Sequence, residues 1–365
     1  MEEQTHSLRM FFLLLIALVP GIGAAKSPDT TDTTANKRGT WSVLPILFSS
    51  PDTRFGFGAL PQYVFYTAPE TRASNARLDV YYTQEKQFNV TGRTGVWLPS
   101  DSYHIGAKVQ LREWPTTFYG IGNTFDGSVK ERYTERSIEA SAEVQSRIRS
   151  GIYAGARLEL GHRLMKDREA GGMLSKGEVV GSKGGQVVGL GIFLSFDTRD
   201  QTFYPTRGHL IRLGSDVYGR VAGADFAFTQ HGVDVRRYLS LPGPQVIAVQ
   251  GTLRLSTGTP PFQMLPGVGQ VVRGYSSKRF TDRNLLAFQA EYRVVPLLWR
   301  FGLVVFVGAG QTARSLDELA LDRFHIGYGA GVRFQIIRSE HINVRWDFGF
   351  GANSSGDYLD LNEAF

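Results

Sequence analysis

From Trp41 to the last residue the chain repeats one pattern. Segments of roughly ten or more residues alternate apolar with small or polar side chains and end in turn signals. Sixteen such segments can be drawn. The first eight are Trp41–Ser49, Arg54–Tyr66, Asn75–Gln84, Gln87–Leu98, Ser102–Trp114, Arg132–Ile148, Ile152–Leu164 and Gln186–Thr198. The rest are Gly208–Tyr218, Asp225–Leu239, Gln245–Thr257, Leu285–Pro296, Leu298–Gln311, Phe324–Ile337, Ile342–Phe350 and Tyr358–Phe365. In the fourteenth, Ile326, Tyr328, Ala330, Val332 and Phe334 oppose Gly327, Gly329, Gly331, Arg333 and Gln335. In the fifteenth, Val344, Trp346 and Phe348 oppose Asn343, Arg345 and Asp347. In the twelfth, Leu286, Phe288 and Tyr292 oppose Ala287, Gln289, Glu291 and Arg293. Period two is the signature of strands with unlike faces, so the chain is all-β.

A soluble sandwich also alternates, but its strands are typically about 5–6 residues long. These segments match the ~9–11 residues of a strand tilted across a bilayer. Their polar faces carry Arg, Asp, Glu and Gln well inside the segments. Aromatic residues cluster near segment ends (Tyr66, Trp97, Trp114, Tyr119, Tyr218, Tyr238, Trp299, Tyr358), which suggests the aromatic girdles of a membrane barrel. An open sheet edge has no water to bond in lipid, so such a sheet must close. The connections agree: several odd-numbered gaps are long (Pro115–Glu131, Met165–Gly185, Gly258–Asn284), while most even ones are short (Arg149–Gly151, Ser240–Pro244). Long outer loops and short periplasmic turns are the outer-membrane arrangement, and an even strand count puts both termini in the periplasm. The pattern predicts a 16-stranded antiparallel transmembrane β-barrel over residues 41–365, in the bacterial outer membrane.

The start of the chain reads differently. Arg9 precedes an apolar run, Met10–Val19, and then small residues through Ala25. That is a secretory signal peptide over residues 1–25, too short to span a bilayer. Residues 26–40 are polar and read as a flexible periplasmic leader. With no cysteine, a disulfide framework, a thiolate metal site and a cysteine nucleophile are excluded. The net charge of +6 is spread along the chain, with no basic block for nucleic acid.

Four places give the chain a resemblance. Val272-Arg273-Gly274-Tyr275 lies in the long connection between the eleventh and twelfth segments. Asp197-Thr198-Arg199-Asp200 and then Pro205 and Gly208 join the eighth and ninth. Phe306, Gly308 and Gly310 fall on the thirteenth, and the chain closes with Tyr358 and Phe365. Together they resemble the BamA/TamA-type bacterial surface antigen superfamily of outer-membrane assembly and secretion barrels. The resemblance implies that the V-R-G-Y loop folds into the lumen, that the D-x-R-D…P-x-x-G stretch is a periplasmic turn, and that the last segment is an aromatic sorting signal. The family's acid on strand thirteen, the partner of the loop arginine, is Gly308 here. A buried arginine without a partner is costly. Alternation puts Glu291 and Asp347 on the lumenal face, and they are the candidate partners of Arg273, Glu291 the better placed. Family members usually carry POTRA domains before the barrel; only the leader stands there, so the chain resembles a free-standing barrel.

No catalytic constellation, metal spacing or phosphate loop emerges; His104, His209 and His325 read as lumen, interface or turn residues. No enzyme activity, cofactor or metal is expected. Three functions compete, and the third, an outer-membrane enzyme acting on lipid, would need the catalytic constellation that does not emerge. The resemblance implies a barrel that inserts or translocates outer-membrane proteins, whereas a barrel of ~16 strands can also serve as a diffusion channel. The expected partners are outer-membrane lipid and lipopolysaccharide, client outer-membrane proteins and a periplasmic protein replacing the POTRA domains. Nucleic acid is not among them.

Overall fold

The computed structural model describes residues 39–50, 54–124, 129–220, 223–338 and 340–365. The stretches read as signal peptide and leader lie outside the described residues, apart from Gly39 and Thr40, and Thr40 already opens the first strand. The first eight strands are β1 (Thr40–Ser50), β2 (Arg54–Phe65), β3 (Ser74–Thr83), β4 (Phe88–Trp97), β5 (Tyr103–Phe118), β6 (Glu131–Arg149), β7 (Ile152–Lys166) and β8 (Gly184–Asp197). The others are β9 (Gly208–Tyr218), β10 (Phe228–Leu241), β11 (Gln245–Gly258), β12 (Asn284–Leu298), β13 (Phe301–Ala313), β14 (His325–Ile337), β15 (Ile342–Gly351) and β16 (Ser354–Leu361). They form one sheet in sequence order, each strand antiparallel to its neighbours.

The faces follow period two. On β8 the outward Leu190, Ile192 and Leu194 are 65%, 71% and 53% exposed. Such a run of bare aliphatic side chains suits hydrocarbon and not water. Inward, Arg293 of β12 and Arg333 of β14 are fully buried. The interior is therefore polar and the exterior apolar, the inverse of a soluble domain.

Three sequence expectations change. The last strand is Ser354–Leu361 and not Tyr358–Phe365, because Ser354 and Ser355 pair with Gly351 and Phe350 across the tight turn Ala352-Asn353. Asn353 takes the positive φ of +51° that such a turn needs. Second, most of the rings read as a girdle face inward. Trp97, Tyr218 and Tyr238 are buried; Tyr218 shares its face with Asp216, and Tyr238 with Arg236. Trp114 meets the lumenal Tyr81 edge-on at 5.9 Å. Rings that do face lipid include Phe57, Tyr82, Phe288, Tyr328 and Phe348.

The third concerns closure. Among the described residues no backbone ladder joins β1 to β16. Instead, Leu359 and Leu361 of β16, which alternation directs outward, pack with Leu44, Ile46 and Leu60, which alternation directs inward from β1 and β2. Ile342 of β15 packs on the inward Val64 of β2 in the same sense. The hydroxyl of Tyr66, after β2, bonds Glu340 in the β14–β15 turn. The two ends of the sheet therefore overlap, with β1–β2 outside and β14–β16 inside.

Candidate functional site

The connection between β11 and β12, residues 259–283, is termed loop 6 here. Its outer part is pinned above the barrel: Phe262 and Leu265 pack with Phe118 and Tyr133 and with Leu174 of the preceding long loop. Farther along it descends, and Val268, Val271, Val272, Tyr275 and Phe280 pack on Leu285 and Ala287 of β12. Arg273 reaches the middle of the barrel wall.

What admits the loop is a track of glycines on the inner face of β13–β15. A Cβ on Gly308 or Gly310 would stand 3.3 Å or 3.1 Å from the Val272 methyls. On Gly327 it would stand 2.3 Å from the Arg273 carbonyl oxygen, and on Gly349 2.7 Å from the Gly274 nitrogen. Gly274 itself has φ +107°, and a Cβ there would strike the Phe350 backbone at 2.6 Å. Where the family has an acid, Gly308 thus makes room for Val272. Polar contacts fix the turn. Gly274 N–H donates to the Tyr358 hydroxyl at 2.8 Å. The Tyr275 hydroxyl donates to the Ile326 carbonyl at 2.8 Å and accepts from Ala352 N–H at 3.0 Å.

Arg273 sits within a ring of alternating charges. Its Nη1 donates to Asp347 at 2.5 Å and its Nη2 to Glu291. Glu291 accepts from Arg293 Nε at 2.7 Å, and Arg293 lies 4.0 Å from Glu363. Glu363 accepts from Arg333 Nε at 2.7 Å, and Arg333 Nη1 donates to Asp347 at 2.5 Å, which closes the ring. The side chains of Glu291, Arg293, Arg333 and Asp347 have no exposed surface. The Phe306 ring lies 3.6 Å below the Arg273 guanidinium, a cation–π contact. Alternation had put Glu291 and Asp347 on the inner face; both, and not one, meet Arg273.

Arg293, Arg333 and Glu363 had no place among the candidates. Arg293 and Arg333 were legible as lumenal, since Arg293 follows Glu291 by two positions on one face. Glu363 was not: by sequence it falls within the sixteenth segment, whereas it follows β16 and leaves the alternation. A second branch leaves the ring towards the overlap: Asp347 to Arg345 at 3.1 Å, Arg345 to Asp360 at 3.5 Å, and Asp360 to Arg77 of β3 at 2.5 Å. Elsewhere on loop 6, burial pushes the Lys278 ammonium down, and the Glu135 carboxylate of β6 opposes that shift.

The other candidates are dispersed. Asp197, at the end of β8, accepts from Arg199 Nε at 2.9 Å and from Arg72 Nη1 at 2.6 Å. Asp200 caps its own turn by accepting from Thr206 N–H at 2.9 Å. Gly208 has φ +102°, and a Cβ on it would meet the Thr198 carbonyl oxygen at 2.2 Å. Pro205 is buried. This turn folds under the barrel: Phe203 packs with Val64 and Ile342, and Tyr204 with Val246 and Val295. Phe365 lies inside the lumen against Tyr238 and Ala248, on the side opposite to lipid. His104 and His325 are partly buried, and His209 contacts Arg237.

Comparison with known proteins places this geometry. No curated protein matches the sequence. Solved structures do match in fold. BamA from Haemophilus ducreyi lacking POTRA domains 1–3 aligns at 14% identity and TM-score 0.55, over 88% of this chain and 69% of that one. CdiB from Acinetobacter baumannii aligns at 11% and 0.55, over 89% and 59%. CdiB from Escherichia coli aligns at 10% and 0.56, over 88% and 61%. The chain thus spans about six tenths of the length of each CdiB structure. An Omp85 superfamily domain model matches residues 71–354. The chain belongs to the Omp85 superfamily and is an outer-membrane β-barrel protein.

Proposed function

We propose that this barrel inserts or exports polypeptide clients at the outer membrane. The β1/β16 side is the part of the wall that yields, and loop 6 is a stopper in the lumen. The observation that carries the reading is the wall itself: fifteen neighbouring pairs are laddered and the sixteenth is not, among the described residues. Backbone groups left unpaired in hydrocarbon cost several kcal/mol each, so a wall built this way holds its weakest resistance in one place. Such an edge also offers a template to an incoming strand. Clients would be outer-membrane proteins or secreted chains, met from the periplasm with or without a periplasmic partner, and surrounded by lipid and lipopolysaccharide. No chemical step is part of the proposal.

Single-channel conductance in a planar bilayer tests it, comparing the intact protein with a variant lacking Gly269–Arg279. The intact barrel should be nearly closed and the deletion should conduct in large, noisy steps. A steady open pore in the intact protein, unchanged by the deletion, would instead make it a diffusion channel.

A further inference from the structure

Residues 362–365, which follow β16, are tied both to the charge ring around Arg273 and to the opposite wall. β16 makes its last pair at Leu361, opposite Val344. Asn362 N–H still donates to the Asn343 carbonyl at 2.7 Å, but Asn362 has φ +69°, and the chain turns there into the lumen. Glu363 then bonds Arg333, and its second oxygen accepts from Asn343 Nδ2 at 2.8 Å. Phe365 enters a pocket on the far wall, formed by Tyr238 of β10 and Ala248 of β11. Arg293 donates to the Phe365 carbonyl at 3.1 Å, and its guanidinium lies 5.2 Å from the Phe365 ring.

We propose that residues 362–365 form a latch that holds β16 turned inward, with Glu363 and Phe365 as its positioning residues. The physical case has two sides. Leu359 and Leu361 point by alternation towards lipid, and among the described residues the free edge of β16 has no ladder partner. Both features favour an outward β16 that pairs with β1 and closes the wall. The latch opposes this. It anchors the end of β16 to nearby β14 through Arg333 and, across the lumen, to β10 and β11. It also makes the seam answer to loop 6, because Glu363 and Arg273 are members of the same charge ring. Withdrawal of Arg273 leaves Asp347 and Glu291 to compete for Arg333 and Arg293, the two arginines that hold the tail. In use the latch rests on the reading that the seam yields. Its test does not, since it measures a distance and needs no client.

The chain has no cysteine, so a pair introduced by Val43→Cys on β1 and Asp357→Cys on β16 would be the only labelling sites. Nitroxides there report the β1–β16 distance by pulsed dipolar spectroscopy in nanodiscs. Glu363→Gln and Phe365→Leu are each introduced separately, and folded barrel is selected by its heat-modifiable mobility. Both should shift the distribution from the parent distance to a second, resolved population, and a further Gly269–Arg279 deletion should add little to it. A parent distribution retained in both variants overturns the latch. Phe365→Leu removes the ring from the Tyr238 pocket and from Arg293 but leaves the charge ring intact, so at least one variant is expected to fold. A shifted distance with no conductance change on loop deletion would leave the latch standing and sink the stopper reading.

Discussion

Replacing Gly349 by leucine should open the lumen almost as far as removal of Gly269–Arg279. Gly349 carries no side chain because the loop 6 backbone occupies that space: a Cβ would lie 2.7 Å from Gly274 N and 3.0 Å from Arg273 C. Those are main-chain atoms of a turn held from both sides, so no flexible side chain can step away. Overpacking of this kind costs about 1–3 kcal/mol even in cores that relax, and here relaxation means expelling the turn. Arg273 would leave its two acids and Tyr275 its two backbone partners. The expected result is a conductance well above that of the intact barrel, while the strands, paired at other positions, stay folded. Gly92 is the control, since a Cβ there meets nothing within 4 Å. Gly92→Leu should leave the conductance unchanged. A Gly349→Leu barrel as closed as the parent would mean that the glycine track does not seat the loop.

Arg333→Met should be the most destabilising single change in the lumen. Arg333 is fully buried and serves two acids, Asp347 at 2.5 Å and Glu363 at 2.7 Å. Methionine fits the volume but leaves both carboxylates short of a counter-charge. Removing one partner from a buried ion pair costs about 3–5 kcal/mol. Urea unfolding in detergent, followed by heat-modifiable mobility, measures the loss. The double variant Arg333→Met, Glu363→Gln should recover part of it, because the stranded charge is then gone. Equal losses in the single and double variants would mean that Arg333 acts through packing alone.

Much of this was readable from the chain, for a definite reason. Period two is a local property, so the number of strands and the two faces of each follow from the segments themselves, although most of the rings read as a girdle face inward; β9 has the bounds Gly208–Tyr218 read from the sequence. The same parity placed Glu291 and Asp347 indoors. What parity does not reach is contact between segments far apart. Arg77 and Asp360 are 283 positions apart, and neither strand hints at the other. The overlap of the sheet ends depends on which of two apolar faces lies outside, and alternation treats the two alike. Phe365 shows the limit best. A terminal aromatic after an alternating run looks like one more lipid-facing strand residue, and only the positive φ of Asn362 sends it indoors.

The turn between β8 and β9 carries a last consequence. Phe203 and Tyr204 pack on β2, β11, β12 and β15 at the periplasmic mouth, while loop 6 descends along the inner wall from the opposite end. If loop 6 is the stopper proposed above and this turn narrows the mouth, current through the lumen is expected to meet two resistors in series. Taking one away exposes the value of the other and not the resistance of an empty cylinder. The gap between a loop-less barrel and a porin of equal strand number is then a direct reading of the periplasmic turn. Under the proposed function, such a doubly obstructed barrel would work as an airlock: material entering from one side would be stopped before the other side opened, with the unladdered side wall as its exit.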